Sequence, residues 1–425
     1  MSANLIKKIY ARQMLDCSAR PMVEVDVVTE SGLSGRGAAP TGKSVGAHEA
    51  FVLRDNDPGE YKGMSVHQAV RNVNEIIAPA LIGKPVSEWR VLDQIMVELD
   101  GTETKSRLGG NAIYSTSIAL LRAAAAHENM PVYQYLSGGR IQHLPIPSFN
   151  MINGGRNGAI RQAFNEFLVM PYRAESIFKA CEIAVVVFNE VQKVIRDWYK
   201  IEPAIGRSYG WVAPTEDPAG CFAILQEAID RGGFTEQCAF GIDCASSEMF
   251  DAETGTYYLM GSQVDTAGLI RYVDGLMDKF NFVFIEDLLD EDAWEGYKAA
   301  HQALTRTLII ADDFTVSNPA RVERAVRDNS IDGFILKPNQ VGTITEALDA
   351  YDFAISHGLI ATPSGRSGGV IDDIVMDLSV GLQVPFQKNG CPRSGERIEK
   401  LNFLMRVADS HPGIEMANIS HLIKF

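Results

Sequence analysis

Between Phe240 and Lys388 the chain repeats one short pattern, a run of apolar residues that stops at a charged or small polar side chain. FGID stops at Asp243, FVFIED at Glu286 and Asp287, LIIADD at Asp312 and Asp313, GFILKP at Lys337, LIATPS at Ser364 and VPFQK at Lys388. From Asp243 through Glu286, Asp312, Lys337 and Ser364 to Lys388 the steps are 43, 26, 25, 27 and 24 residues. A step of about 25 residues holds one buried parallel strand, its loop and a return helix. The intervening segments DTAGLIRYVDGLMDKF, NPARVERAVRDN and TITEALDAYDFAISHG carry apolar residues at helical spacing, and they open on Asp, Asn or Thr, the residues that cap helix N-termini. A series of this kind reads as a (β/α) barrel, in which the C-terminal ends of the strands carry the chemistry.

Three acids and two lysines then face one pocket. Asp243, Glu286 and Asp312 offer hard carboxylate oxygens with no His or Cys at comparable positions, which suits Mg²⁺ rather than zinc. A lysine beside a divalent cation sits in a field that opposes its own protonation, so Lys337 is expected to have a lowered pKa and to act as a base. It would take a proton next to a carboxylate, with the metal and Lys388 stabilising the enolate. The alternative is that strand-end acids and lysines pair as surface ions, but regular placement at so many strand ends favours a site.

At 425 residues the chain is long enough for two domains. Its formal net charge of −15 speaks against a nucleic-acid surface. No apolar run reaches membrane-spanning length, and MSANLIKKIYARQ lacks the apolar core of a signal peptide, so a cytoplasmic location is expected. The cysteines at 17, 181, 221, 238, 244 and 391 have no CxxC spacing and read as reduced thiols.

Residues 1–135 lack the barrel rhythm. PMVEVDVVTE alternates like a half-buried strand, SGLSGRGAAPTGKSVGAHEA is a long small-residue segment, and SVHQAVRNVNEIIAPALI and NAIYSTSIALLRAAAAHEN carry helical patterns. An α+β N-terminal domain is expected, followed by a barrel domain over residues 136–425 that is entered through LPIPSFNMINGG. Thr41-Gly42-Lys43-Ser44 is a fragment of a phosphate-cradling loop without its first glycine, so ATP binding is a poor reading.

FGIDCASSEMF, FIEDLLDEDAWEGY, ADDFTVSNP, LKPNQVGTITEAL, GRSGGVIDD and KNGCPRSGERIEKLN together resemble enolases, and the resemblance runs from ARQMLDCSARPMVEVDV to the final residues. It implies an α/β, enolase-like fold with an N-terminal capping domain and a C-terminal (β/α)8 barrel. By resemblance Asp243, Glu286 and Asp312 hold a first Mg²⁺, Lys337 is the α-proton base and Lys388 binds the substrate carboxylate. Such Lys-plus-Mg²⁺ sites are a general property of the enolase superfamily. Ser44, in the loop that closes over substrate, matches the serine that joins a second Mg²⁺, and Glu166 the carboxylate that assists proton transfer at the leaving hydroxyl. Arg366 and Ser367 match the phosphate-binding pair beside Ser364. A homodimer or higher homo-oligomer is implied as well.

The chain also departs from the family. Asn157 and Gly365 stand where enolases have active-site histidines, and RSYGWVAP replaces GDEGGxAP, so Tyr209 takes the place of the general-acid glutamate. Extra cations appear at Lys43, Arg156, Arg161 and Arg207. They suit a second or larger anion, such as a phosphonate or a nucleotide-activated co-substrate. The favoured expectation is therefore a diverged enzyme acting on a small phosphorylated acid of the 2-phosphoglycerate or phosphoenolpyruvate type, such as the enolase-like carboxyphosphonoenolpyruvate synthases. The alternatives are an ordinary enolase with relocated acid chemistry, and a catalytically silent binding protein.

Overall fold

A computed structural model describes residues 4–40, 42, 46–155 and 163–425. The N-terminal part is an antiparallel sheet of β1 (Ile6–Leu15), β2 (Pro21–Thr29) and β3 (Ser34–Ala38), covered by α2 (Gly110–His127), against which α1 (Trp89–Asp100) packs. The alternation of PMVEVDVVT buries Val23, Val25 and Val27 on the helix side of β2. Within the small-residue segment after it, SGRGA forms strand β3 without an apolar pattern. The reason is close approach: a Cβ at Gly35 would collide with the backbone of Ala119 and Ala123 in α2, and one at Gly37 with that of Ser115. Glycine lets helix and strand backbones touch here, at the expense of the apolar pattern that marks a strand.

Eight strands form the barrel: β4 (Ile146–Asn153), β5 (Glu166–Met170), β6 (Ala239–Asp243), β7 (Phe282–Glu286), β8 (Leu308–Ala311), β9 (Gly333–Leu336), β10 (Ile360–Pro363) and β11 (Phe386–Lys388). They pair in that order, with β11 returning to β4, and a parallel bridge between Ser364 and Lys388 closes the ring. From β6 onward each strand ends at, or one residue before, the charged or polar residue that stops its apolar run. Inward side chains such as Leu168, Phe284, Ile310, Ile335 and Phe386 fill the barrel, which is a packed core rather than a channel.

A uniform (β/α)8 order is not what the first strands adopt. β5 runs antiparallel to both β4 and β6, and two helices, α3 (Ile177–Tyr199) and α4 (Pro218–Gly232), separate it from β6. The reversal matters for function, because it places the first residue of β5, Glu166, opposite Asp243 at the barrel mouth. The long step of 43 residues between Asp243 and Glu286 also has a cause: a small antiparallel meander over Phe250–Asp251, Thr256–Leu259 and Ser262–Val264 is inserted before the return helix.

The return helices are α5 (Thr266–Met277), α6 (Trp294–Ala303), α7 (Pro319–Arg327), α8 (Ile344–Ser356), α9 (Val375–Gly381) and α10 (Gly395–Ser410). Asp265, Asn318 and Thr343 cap α5, α7 and α8 through their side chains, as the sequence predicts. Barrel residues Ile344, Leu348, Ile374 and Leu378 belong to the N-terminal core, so the two parts share packed surface. No described helix is long and apolar enough to cross a membrane.

Candidate active site at the barrel mouth

Strand register builds the site. β6 and β7 align Asp243 with Glu286, and Asp312 follows the end of β8 alongside them. Lys388, at the end of β11, reaches across the mouth as their hub. Its Nζ donates to both oxygens of Glu286 at 2.7 Å and to Asp243 Oδ2 at 3.0 Å, and lies 3.4 Å from Glu166 Oε2. Asn165 Nδ2 donates to Asp243 at 3.0 Å and Asn150 Nδ2 to Glu166 at 2.8 Å, which fixes both carboxylates from the β4–β5 side.

A second group forms around Asp312. Lys337 Nζ donates to its Oδ2, while Gln340 Nε2, three residues on, donates to Oδ1 at 2.9 Å. Asp287 takes the left-handed conformation at φ 45° and accepts from the backbone N–H groups of Asp312 and Asp313 at 2.7 and 2.8 Å. That bent backbone turns the chain after β7 so that one carboxylate caps the end of β8. Asp287, Asp312 and Asp313 each bring an oxygen within 4.8 Å of the others.

The cleft, about 200 Å³, is lined by Glu166, Asp243, Asp312, Lys337 and Lys388, by Ser364, Arg366 and Ser367, and also by Arg207, Arg397 and Lys400. Glu286 is fully buried beneath Lys388 and does not line it. Arg366 forms a two-pronged ion pair with Glu49, Nη1–Oε2 at 2.7 Å and Nη2–Oε1 at 3.1 Å, so the end of the small-residue segment is fastened to the candidate phosphate-binding arginine. Tyr209 has its ring against the core, 5.1 Å below the Arg397 guanidinium, and is not among the residues lining the cleft. Lys43, Ser44, Arg156, Asn157 and Arg161 lie outside the described residues.

Sequence reasoning did not single out Asn165, Gln340, Glu49, Arg397 or Lys400. Asn165 and Gln340 adjoin residues that it did find, so their neighbourhood is the one available signal. Arg397 and Lys400 fall inside KNGCPRSGERIEKLN, one of the stretches that carry the family resemblance, but on α10 charged residues take buried positions, so no apolar pattern marks them.

Electrostatics test whether the donors fit a cation. Burial, and then the neighbouring Asp243, pushes the Glu286 carboxyl well above the usual range despite Lys388. Burial followed by Asp312 pushes Asp287 up to about 7, and the same two causes push Asp313 far up. Burial opposes ionisation of Asp312 too, but Lys337 and Lys388 more than offset it and hold this carboxyl low. Protein cations therefore do not neutralise all of these acids, and a crowd of hard oxygens short of positive charge fits a divalent ion such as Mg²⁺. Lys337 differs from the sequence-based expectation. Burial is the largest influence and lowers it, yet its carboxylate neighbours together, Asp312 foremost, more than compensate and hold it above the ordinary lysine value. Arg366 and Lys388 lower it as well, and Glu286 raises it alongside Asp312; the expected lowering is that of a lysine beside a divalent cation.

Comparison with known proteins adds a family. Residues 6–136 match the model described as the enolase N-terminal domain and residues 141–416 the model described as the enolase C-terminal TIM barrel domain. The chain is 37% identical over 405 residues to the protein named Enolase of Methanococcus maripaludis, with 95% of each chain covered. It is 38% identical over 405 residues to the protein of the same name from Methanococcus vannielii, again with 95% of each covered.

Proposed function

Because this chain belongs to the enolase family, we propose that it is a Mg²⁺-dependent lyase that removes the α-proton of 2-phosphoglycerate and expels the 3-hydroxyl to give phosphoenolpyruvate. The observation that carries the reading is the pair of strand-end lysines, Lys337 and Lys388, set among Glu166, Asp243 and Asp312 in one cleft. Asp243, Glu286 and Asp312 would hold the ion, which when bound supplies the positive charge that an enolate next to a carboxylate demands.

The side chains supply the rest. Lys337, once it has lost its proton, is the base for the substrate α-carbon. Lys388 offers its ammonium to the substrate carboxylate in exchange for Glu286 and Asp243. Arg366 and Ser367 receive the phosphate, which requires the Arg366–Glu49 pair to open. Glu166, oriented by Asn150, faces the hub as a proton-handling carboxylate. Phosphorus NMR with Mg²⁺ and 2-phosphoglycerate tests this: phosphoenolpyruvate should accumulate with no second reactant.

A second reading, carboxyphosphonoenolpyruvate-type synthesis on the same enolate, is favoured by Tyr209 being absent from the cleft lining and by Arg207 being present in it. Its support is narrower than that of the first reading, since the relatives at 37% and 38% identity carry the name Enolase. Product that forms only when a phosphonate is added would select it.

A further inference from the structure

Helix α10 brings two cations to the cleft, one turn apart. Arg397 is committed to the protein: it donates to the carbonyl of Ser208, lies 3.5 Å from Glu396 and covers the Tyr209 ring. Lys400 is not. It is 7% exposed, yet its ammonium makes no hydrogen bond or ion pair with any described residue. A buried charge without a partner is costly, and in a cleft it marks a place kept for a ligand.

The position of Lys400 is specific. Its Nζ lies 3.2 Å from the point where a Cβ on Gly365 would stand, and Asp373 Oδ2 lies 2.9 Å from the same point. Gly365 follows Ser364, whose bridge to Lys388 closes the barrel. The ammonium therefore borders the strand ends that carry Lys388 and Arg366, in the space where a histidine side chain would begin.

We propose that Lys400 is the proton donor of the dehydration step, standing in for the acid groups that this chain lacks at Tyr209 and Gly365. As the C3–O bond of the enolate breaks, the enolate electron pair forms the C2=C3 double bond. An N–H proton of Lys400 passes to the departing oxygen, which leaves as water. Lys400, now a neutral amine, regains a proton from solvent while Lys337 releases to solvent the one taken from C2, so no further reactant is needed.

The surroundings of Lys400 suit that role. Burial lowers its pKa to about 8; Asp373, from the loop before α9, opposes the fall. On its own helix Arg397 lowers it further and Glu396 raises it, and Glu166 from β5 raises it as well. Such an amine is mostly charged at neutral pH but gives up its proton readily.

The proposal rests on the enolate chemistry proposed above, and the test separates the two. Parent, Lys400→Met and Lys400→Ala proteins are given Mg²⁺ and 2-phosphoglycerate in D₂O, with C2-proton exchange followed by proton NMR and phosphoenolpyruvate by phosphorus NMR. The Met variant should keep its exchange while dehydration falls by about 10²- to 10⁴-fold, the usual contribution of a general acid. Parent dehydration should decline above a pH of about 8, close to the value for Lys400, while exchange does not. Small amines should partly restore the Ala variant. Dehydration at the parent rate in Lys400→Met overturns the proposal. So does joint loss of exchange and dehydration in a variant that melts like the parent, because Lys400 would then bind or position rather than donate. A parent that exchanges no C2 proton defeats the enolate reading, and this proposal with it.

Discussion

Lys388 is the counter-ion of the acid cluster before it is anything else. Its ammonium touches Glu286, Asp243 and Glu166, and those acids hold its own pKa far up in spite of burial. Lys388→Met would leave Glu286 and Asp243 buried side by side without the cation that hydrogen-bonds both. Removing one partner of a buried pair costs about 3–5 kcal/mol, so this variant should melt well below the parent. Added Mg²⁺ should then raise its melting temperature more than it raises that of the parent, because the ion supplies the missing charge. An unchanged melting temperature without metal would contradict the hub assignment. The residues at strand ends were legible in the sequence because each one terminates an apolar run, a signal that needs no knowledge of partners. Asn165, Gln340 and Glu49 were not, since each acts through contacts made across the fold.

Among elements, the later barrel strands and their capped helices follow directly from apolar runs, steps of regular length and Asp, Asn or Thr at helix starts. β3 and β5 do not. β3 is glycine-rich because α2 lies on its backbone, so it carries no strand pattern, and five residues of apolar β5 contain nothing that sets their direction. Gly35→Ala tests the first point: its Cβ has no room against α2, and overpacking of this kind costs about 1–3 kcal/mol or more, to be read as a lowered melting temperature. Asp93 of α1 joins the helices of the two parts. It accepts from Ser117 Oγ at 2.8 Å and from Thr345 Oγ1 at 2.6 Å, and burial pushes it up to about 7. A carboxyl raised in the folded state favours folding most below its unfolded pKa, and that contribution is lost as pH rises through about 7. Lacking the charge, Asp93→Asn should therefore gain on the parent between pH ~4 and pH ~7, with a melting-temperature gap that widens across this window and levels off above it. A gap independent of pH would show that Asp93 does not titrate there.

In the whole molecule the overall acidic balance and the charges gathered at the cleft, where acids and cations meet, are separate matters. A net charge of −15 is spread over the chain, whereas Arg207, Arg366, Arg397, Lys337, Lys388 and Lys400 all converge on one mouth. The N-terminal part reaches that mouth through the Glu49–Arg366 pair, so in the proposed reaction substrate phosphate would compete with Glu49 for the same guanidinium. This architecture was legible as a barrel preceded by an α+β unit. What the sequence could not display is the balance around Lys337, where Asp312 and Glu286 outweigh burial and the neighbouring cations and hold it above the ordinary lysine value. The central claim is that Lys337 takes the α-proton. The most direct measurement is C2-proton exchange of 2-phosphoglycerate in D₂O with Mg²⁺, for the parent and for Lys337→Ala at matched melting temperature. Exchange in the parent, lowered in the variant by at least about 10²-fold, is the predicted result; exchange at the parent rate in Lys337→Ala would contradict it.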